Sequence, residues 1–242
     1  HDGIIELSGQ PKIGSKFVEY LSEYNPDAVD PIIEIAITPN RPDALGVRGI
    51  ARDLAARGIG SLKTAKTPII NGTHKNNIEI AIDADVLEKG CPVFYSCLIK
   101  GVKNGPSPKW LKNRIESIGL RSISTLVDIT NYFTMDRARP LHVFDADKIK
   151  GNLKVSFSKG DQSIEALDEK KYDLPERSMI ISDTSGIVSI AGIMGGVSTG
   201  CSENTVNVLL ESAYWDPITI AKTGRSLKIN SDARYRFERG VD

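Results

Sequence analysis

The side chains able to do chemistry fall in a few short segments. Glu211 closes the run VNVLLE. Strand alternation there puts Val206, Val208 and Leu210 on one face and Asn207, Leu209 and Glu211 on the other. A carboxylate beside Leu209 is costly to bury unless a hydrogen bond or a cation meets it. It reads either as an acceptor for a donor on a ligand or as a rim carboxylate paired with an arginine. His142, in RPLHVFDAD, has the titration range for proton transfer or for orienting a water, and equally suits a hydrogen-bonded structural position. AGIMGG, residues 191–196, follows an apolar run. Its glycines permit a sharp turn between strands or the close approach of backbone to a ligand. The Gly-Lys-Ser/Thr ending of a phosphate loop is missing, and so is the GxGxxG spacing.

Two further segments are rich in polar groups. LRSISTLVDITNYF crowds Arg121, Asp128, Thr130 and Asn131 together. On a helix Asp128 and Asn131 share a face, and Arg121 is set either to meet an anion or to pair with Asp128. SDARYRFERG interleaves Arg234, Arg236 and Arg239 with Tyr235 and Phe237. That mixture fits base stacking with phosphate contact, and also an amphipathic helix. No Ser-His-Asp order is legible. Cys91, Cys97 and Cys201 lack metal-ligand spacing, and the odd count suggests reduced thiols in a cytoplasmic protein.

The elements that must position these groups follow from periodicity. PIIEIAIT, residues 31–38, alternates like a strand. A helix follows, with Asp43 as cap, Leu45, Ile50 and Leu54 as apolar stripe, and Gly58 and Gly60 as stop. Residues 61–77 are polar with Pro and Asn-Gly, and read as a linker. From Ile78 onward, IEIAI and VFYSCLIKGV read as strands. Residues 107–119 read as a helix with Ser107 as cap, and residues 122–136 as a second helix. Short strands follow at LKVSF, SIEAL, KYDL, SMIIS, GIVSIAGI and VNVLLESA, then a helix from Asp216 to Leu227. Strands clustered between helices give an α+β fold with a mixed sheet and packed helices, preceded by a small α+β partial domain.

Composition narrows the class. Of 242 residues, 40% are hydrophobic and 26% charged, which excludes disorder, collagen and coiled coil. No apolar run approaches the roughly 18 residues of a membrane helix. Lys and Arg number 31, as do Asp and Glu, so a basic coat is absent overall. The balance is uneven: residues 1–39 are acidic, and residues 101–142 and 222–242 are basic. The start has no basic, apolar secretory leader and no Met, and it reads as a piece of a longer protein.

In order, ITPNRPDALGVRGIARDLAA, SPKWLKNRIESIGLRSISTLVDITNYF, RPLHVFDADKI, AGIMGG, VLLESAYWDP and SDARYRFERGVD resemble the beta subunits of bacterial phenylalanyl-tRNA synthetases. The resemblance covers nearly the whole chain. It implies that residues 1–60 hold the tail of an OB domain and part of a small α+β domain, and that residues 78–242 form an editing domain. Such a domain hydrolyses tyrosine wrongly attached to the phenylalanine tRNA. A hydrophobic synthetic pocket rejects an added hydroxyl by only about a hundredfold, so a second, hydrolytic site is needed.

The resemblance makes Glu211 the acid that recognises the tyrosine hydroxyl and His142 the histidine of the editing pocket. It puts Arg121, Thr130, Asn131, Gly192, Gly195, Ser231 and Ala233 in or around that pocket. Amides near Gly195 and Gly196 would polarise the ester carbonyl, with no metal and no Ser or Cys nucleophile. Ala138 replaces a common Gly, Arg139 a common Gln, and LDEKK a Leu-Asp-Gly turn. The implied partners are an alpha subunit, in a heterotetramer, and the phenylalanine tRNA. ATP and magnesium belong to the full enzyme, and the fragment itself takes no cofactor. A non-catalytic scaffold for subunit assembly and tRNA docking is the alternative. A stand-alone nucleic-acid binder fits poorly with zero net charge.

Overall fold

The computed structural model describes residues 7, 9–24, 26, 29 and 31–241. Part of the expected OB-domain tail therefore lies outside the described residues. The helices are α1 (Phe17–Tyr24), α2 (Val47–Ala56), α3 (Ala84–Lys89), α4 (Lys109–Ser117), α5 (Thr125–Arg137), α6 (Pro217–Leu227) and α7 (Asp232–Phe237). The strands are β1 (Ile80–Ile82), β2 (Phe94–Lys100), β3 (His142–Asp145), β4 (Leu153–Phe157), β5 (Ser163–Glu165), β6 (Lys171–Asp173), β7 (Met179–Asp183), β8 (Gly186–Ile190), β9 (Met194–Gly195) and β10 (Asn207–Ala213).

The fold is α+β. Five strands form a mixed sheet in the order β1-β4-β7-β8-β9, parallel at β1–β4 and antiparallel elsewhere. Three form an antiparallel sheet, β2-β10-β3, and β5 pairs with β6. Phe144 and Leu209 from the three-stranded sheet share one core with Val155, Ile181 and Ile190 from the five-stranded sheet. Trp215 and Ile220 close it. Each such side chain contributes roughly 1.5–3 kcal/mol by leaving water. Asp216 caps α6 by accepting from the Thr219 N–H at 2.7 Å, and Pro217 opens its first turn.

Several local expectations are corrected. Residues 31–38 carry no strand, and Ile32, Ile33 and Ile35 are exposed. Alternation yields a strand only where another strand pairs with it, and none does so among the described residues. Asp43 does not cap α2. Arg41 engages its carboxylate with two hydrogen bonds of 2.9 Å, Arg52 pairs with it too, and the helix starts at Val47 after a 3-10 turn. Leu45 thus precedes α2, and Leu54 is exposed. Ser107 does not cap α4. Its hydroxyl donates to Asp128 Oδ2 at 2.6 Å, Ser122 donates to the same oxygen at 2.5 Å, and the Ile123 N–H reaches Oδ1 at 3.0 Å. Asp128 is fully buried by these contacts, so it organises the loop before α5 and does not pair with Arg121. Helix α5 ends with Ala138 in the left-handed region at φ 56°.

LDEKK forms the turn between β5 and β6, with exposed Glu169 at φ 62°. A side chain in that region costs about 1 kcal/mol, which glycine avoids. Glu169→Gly is expected to raise the melting temperature by about 2 °C in a thermal scan; an unchanged or lower value would show that the strain does not exceed the extra chain entropy that glycine loses on folding.

Candidate active site

Antiparallel pairing of β10 with β3 sets Leu209 opposite Phe144 and Glu211 opposite His142. Directly opposed side chains share a face, so the carboxyl and the imidazole become neighbours. The His142 ring stands edge-on to Phe144, with centroids 4.3 Å apart. The turn between β8 and β9 covers this pair, and α7 closes the side. The result is a cleft of about 60 Å³. Pro140–His142, Ser189, Ile190, Gly192–Gly195, Glu211, Ala233 and Phe237 line it.

Two glycines shape the cleft for different reasons. Gly192 sits at φ 69°, and a Cβ there would lie 2.6 Å from Trp215 Cδ1 and 2.8 Å from Ile220 Cδ1. Gly195 has ordinary strand geometry, but a Cβ would collide with His142 Cε1 and lie 2.9 Å from Nε2. Ser231 fastens α7 to the turn. Its hydroxyl donates to Ile193 O at 2.8 Å and accepts from the Arg234 N–H at 3.1 Å.

Burial sets the charge of both central groups. Glu211 is only 5% exposed. Desolvation pushes its carboxyl up to about 8, against the opposing pull of Arg139 and of the Trp215 indole. The Trp215 N–H is buried and makes no hydrogen bond of good geometry, although it lies close enough to favour the charged carboxylate. His142 keeps some exposed surface at the rim, yet the surrounding protein displaces enough water to bring its pKa down to about 4. At neutral pH the pair is therefore uncharged. A carboxylic acid offers one donor and acceptor oxygens, and a neutral imidazole offers one of each. Such a pair can hold a neutral hydroxyl, and the imidazole can accept a proton from water.

The half-buried Arg139 guanidinium donates to Ser212 Oγ at 3.1 and 3.3 Å and to Ala213 O at 3.0 Å, just beyond Glu211 on β10. The Cys91 and Cys201 thiols are pushed up to about 12 and about 11, chiefly by burial, so neither is poised as a nucleophile. Among the described residues no group of three or more His, Cys, Asp or Glu side chains has the geometry to hold a metal ion. No helix among them is long and apolar enough to cross a membrane.

Of the residues singled out in the sequence, His142, Glu211, Gly192, Gly195 and Ala233 line the cleft. Ser231 stands behind its wall. Gly196 does not line it, and its N–H is spent on Val188 O at 2.8 Å, so this amide is not free to polarise a substrate carbonyl. Arg121 is exposed in the loop before α5. Thr130 is buried on α5 and donates to Val127 O at 2.7 Å. Asn131 lies on the same helix and does not line the cleft.

The arginines of α7, and Arg239 just after it, make structural contacts. Arg234 pairs with Glu238 at 3.0 Å, Arg236 with Asp232 at 2.9 Å, and Arg239 stacks on Tyr235 at 3.7 Å. These contacts fit an amphipathic helix whose Arg236 and Phe237 are buried. Sequence reasoning missed Met194, Phe237, Trp215 and Arg139. Phe237 follows Ala233 by four residues, a helical spacing that was legible. The neighbourhood of Arg139 was not, because Ser212 lies 73 residues away.

A family model described as the B3/4 domain matches residues 90–242. The phenylalanine–tRNA ligase beta subunit of Ruegeria pomeroyi is 62% identical over 243 aligned residues, covering all of this chain and 30% of that protein. The beta subunit of Cereibacter sphaeroides is 56% identical over 242 residues, again all of this chain and 29% of that protein. The chain thus spans about 30% of the length of these relatives. A crystal structure of an N-terminal fragment of the Pyrococcus horikoshii phenylalanyl-tRNA synthetase beta subunit superposes with a TM-score of 0.48 at 16% identity, covering 87% of this chain and 68% of that one.

Proposed function

The chain belongs to the B3/4 domain family, and from that premise we propose that its cleft hydrolyses the ester of a tRNA mischarged with tyrosine. The observation that carries this reading is the uncharged pair of Glu211 and His142, opposed across β10 and β3 under a glycine turn. Glu211 takes the phenol hydroxyl. Phenylalanine leaves this buried carboxyl without its partner, which disfavours it. A water attacks the ester carbonyl, positioned by His142 or by the neighbouring hydroxyl of the terminal ribose. The ester C–O bond then breaks, the ribose oxygen takes one proton of that water, the other passes to solvent, and tyrosine leaves as its carboxylate.

The cleft of about 60 Å³ holds about two waters, so a phenol ring requires it to open. Met194, an unbranched and half-buried side chain on the wall, is suited to that movement. Arg121 and Asn131 lie off the cleft and are assigned to the tRNA-borne part of the substrate, whereas Thr130, buried with its hydroxyl donated to Val127 O, holds α5 in place. The same reading makes residues 78–242 the hydrolytic module. It makes the complete protein a ligase subunit that acts in the cytoplasm, with an alpha partner and the phenylalanine tRNA.

The test is calorimetric titration of the complete protein with L-tyrosine and L-phenylalanine. Tyrosine is expected to bind at least about tenfold tighter, a difference of about 1.4 kcal/mol, and Glu211→Ala to erase the difference. Equal binding of the two amino acids would overturn the reading and favour a scaffold.

A further inference from the structure

A second cleft, of about 210 Å³, lies where the start of α2 meets the end of α5. Arg48, Arg52, Arg137 and Arg139 line it, against the single carboxylate of Asp43. That carboxylate is already shared between Arg41 and Arg52. Arg137 pairs with Asp136 at 2.6 Å. The Arg48 side chain makes no hydrogen bond or ion pair among the described residues. Positive charge in this concave site thus exceeds its compensation, and the half-buried Arg48 guanidinium is unpaired among the described residues. A guanidinium fork matches the oxygens of a phosphate and holds it by paired hydrogen bonds.

The position of this cleft matters as much as its charge. Ala138 and Arg139 line the basic cleft, and the next residues, Pro140 to His142, line the cleft beside Glu211. Ala138 and Pro140 are at most about 7.6 Å apart along the chain, within the length of one or two nucleotides. Resting on the function proposed above, we infer that the basic cleft is a phosphate subsite. It grips a backbone phosphodiester near the 3′ end of the esterified RNA and delivers the terminal ester to the neighbouring cleft. Arg48 is its principal anion-binding residue.

The experiment uses the complete protein with its partner subunit and two substrates. One is tyrosyl-tRNA and the other is tyrosyl-adenosine, which carries the ester but no phosphate. Arg48→Glu is expected to lower kcat/KM on tyrosyl-tRNA about tenfold through KM, and to leave tyrosyl-adenosine hydrolysis within about twofold. The slope of log affinity for a 5′-phosphorylated CCA trinucleotide against log salt should fall by about 0.7. Arg48→Lys should recover most of the loss, and Arg48→Gln serves if the glutamate variant melts early. Unchanged kcat/KM on tyrosyl-tRNA together with an unchanged salt slope overturns the subsite. Equal loss on both substrates in a folded variant also overturns it, because Arg48 would then act on the ester cleft. If the wild type hydrolyses neither substrate, the editing reading fails. The trinucleotide slope then decides the phosphate subsite by itself.

Discussion

Glu211→Ala is expected to lower tyrosyl-tRNA hydrolysis at least about tenfold, since leaving the buried phenol hydroxyl unpaired costs about 1–3 kcal/mol. Glu211→Gln separates hydrogen bonding from charge. The folded carboxyl titrates near 8 where an unfolded one titrates near 4.5, so the folded protein keeps a proton that the unfolded chain has released. The contribution of this group to stability is complete below about pH 4.5 and is lost as the pH rises through 8. His142 runs the other way. Its contribution is present above 6.5 and is lost as the pH falls through 4. Glutamine at position 211 does not titrate. Denaturant unfolding should therefore show Glu211→Gln gaining on the wild type by on the order of 3 kcal/mol between pH 5 and pH 8.5. A stability difference that stays flat with pH would mean that Glu211 is ionised in the fold, with Arg139 as its counter-ion.

Gly195→Ala should cost at least about a hundredfold in hydrolysis while destabilising the fold by only about 1–3 kcal/mol. The added methyl meets His142 Nε2 at 2.9 Å and Leu167 Cδ1 at 3.1 Å, with His142 Cε1 closer still. Relief comes by turning the imidazole, which removes it from its place opposite Glu211. Backbone geometry at position 195 is ordinary, so the strand itself survives. Gly192 is the contrast. There a methyl meets the fully buried Trp215, and the backbone lies in the left-handed region. Gly192→Ala should therefore cost more stability than Gly195→Ala, in equilibrium unfolding of both. Normal hydrolysis by Gly195→Ala would place the reacting ester away from the His142 ring.

Elements built on local pattern were legible. LKVSF became β4, VNVLLESA gave β10, and Asp216 with Pro217 opened α6. The glycine run at residues 191–196 made a turn between strands. Strand β3 was not legible, because HVFD is only four residues long and is a strand through its pairing with β10. The converse holds at residues 31–38, where the alternation is clear and no described strand lies alongside. Asp128 looked like a helix-face carboxylate and serves two serines and a backbone amide of the preceding loop.

The sequence by itself determined the α+β class, most strands, and the face of β10 that carries Glu211. Periodicity, turn residues and caps act over a few neighbours, so a linear reading reaches them. Tertiary structure alone decided that Glu211 faces His142, 69 positions away, because register depends on how whole strands pair. It decided that this pair is uncharged, because a pKa follows the water that packing removes. It also drew Arg234, Arg236 and Arg239 into internal pairs and left Arg48 open beside the cleft, an outcome set by which carboxylates and carbonyls the fold brings within reach.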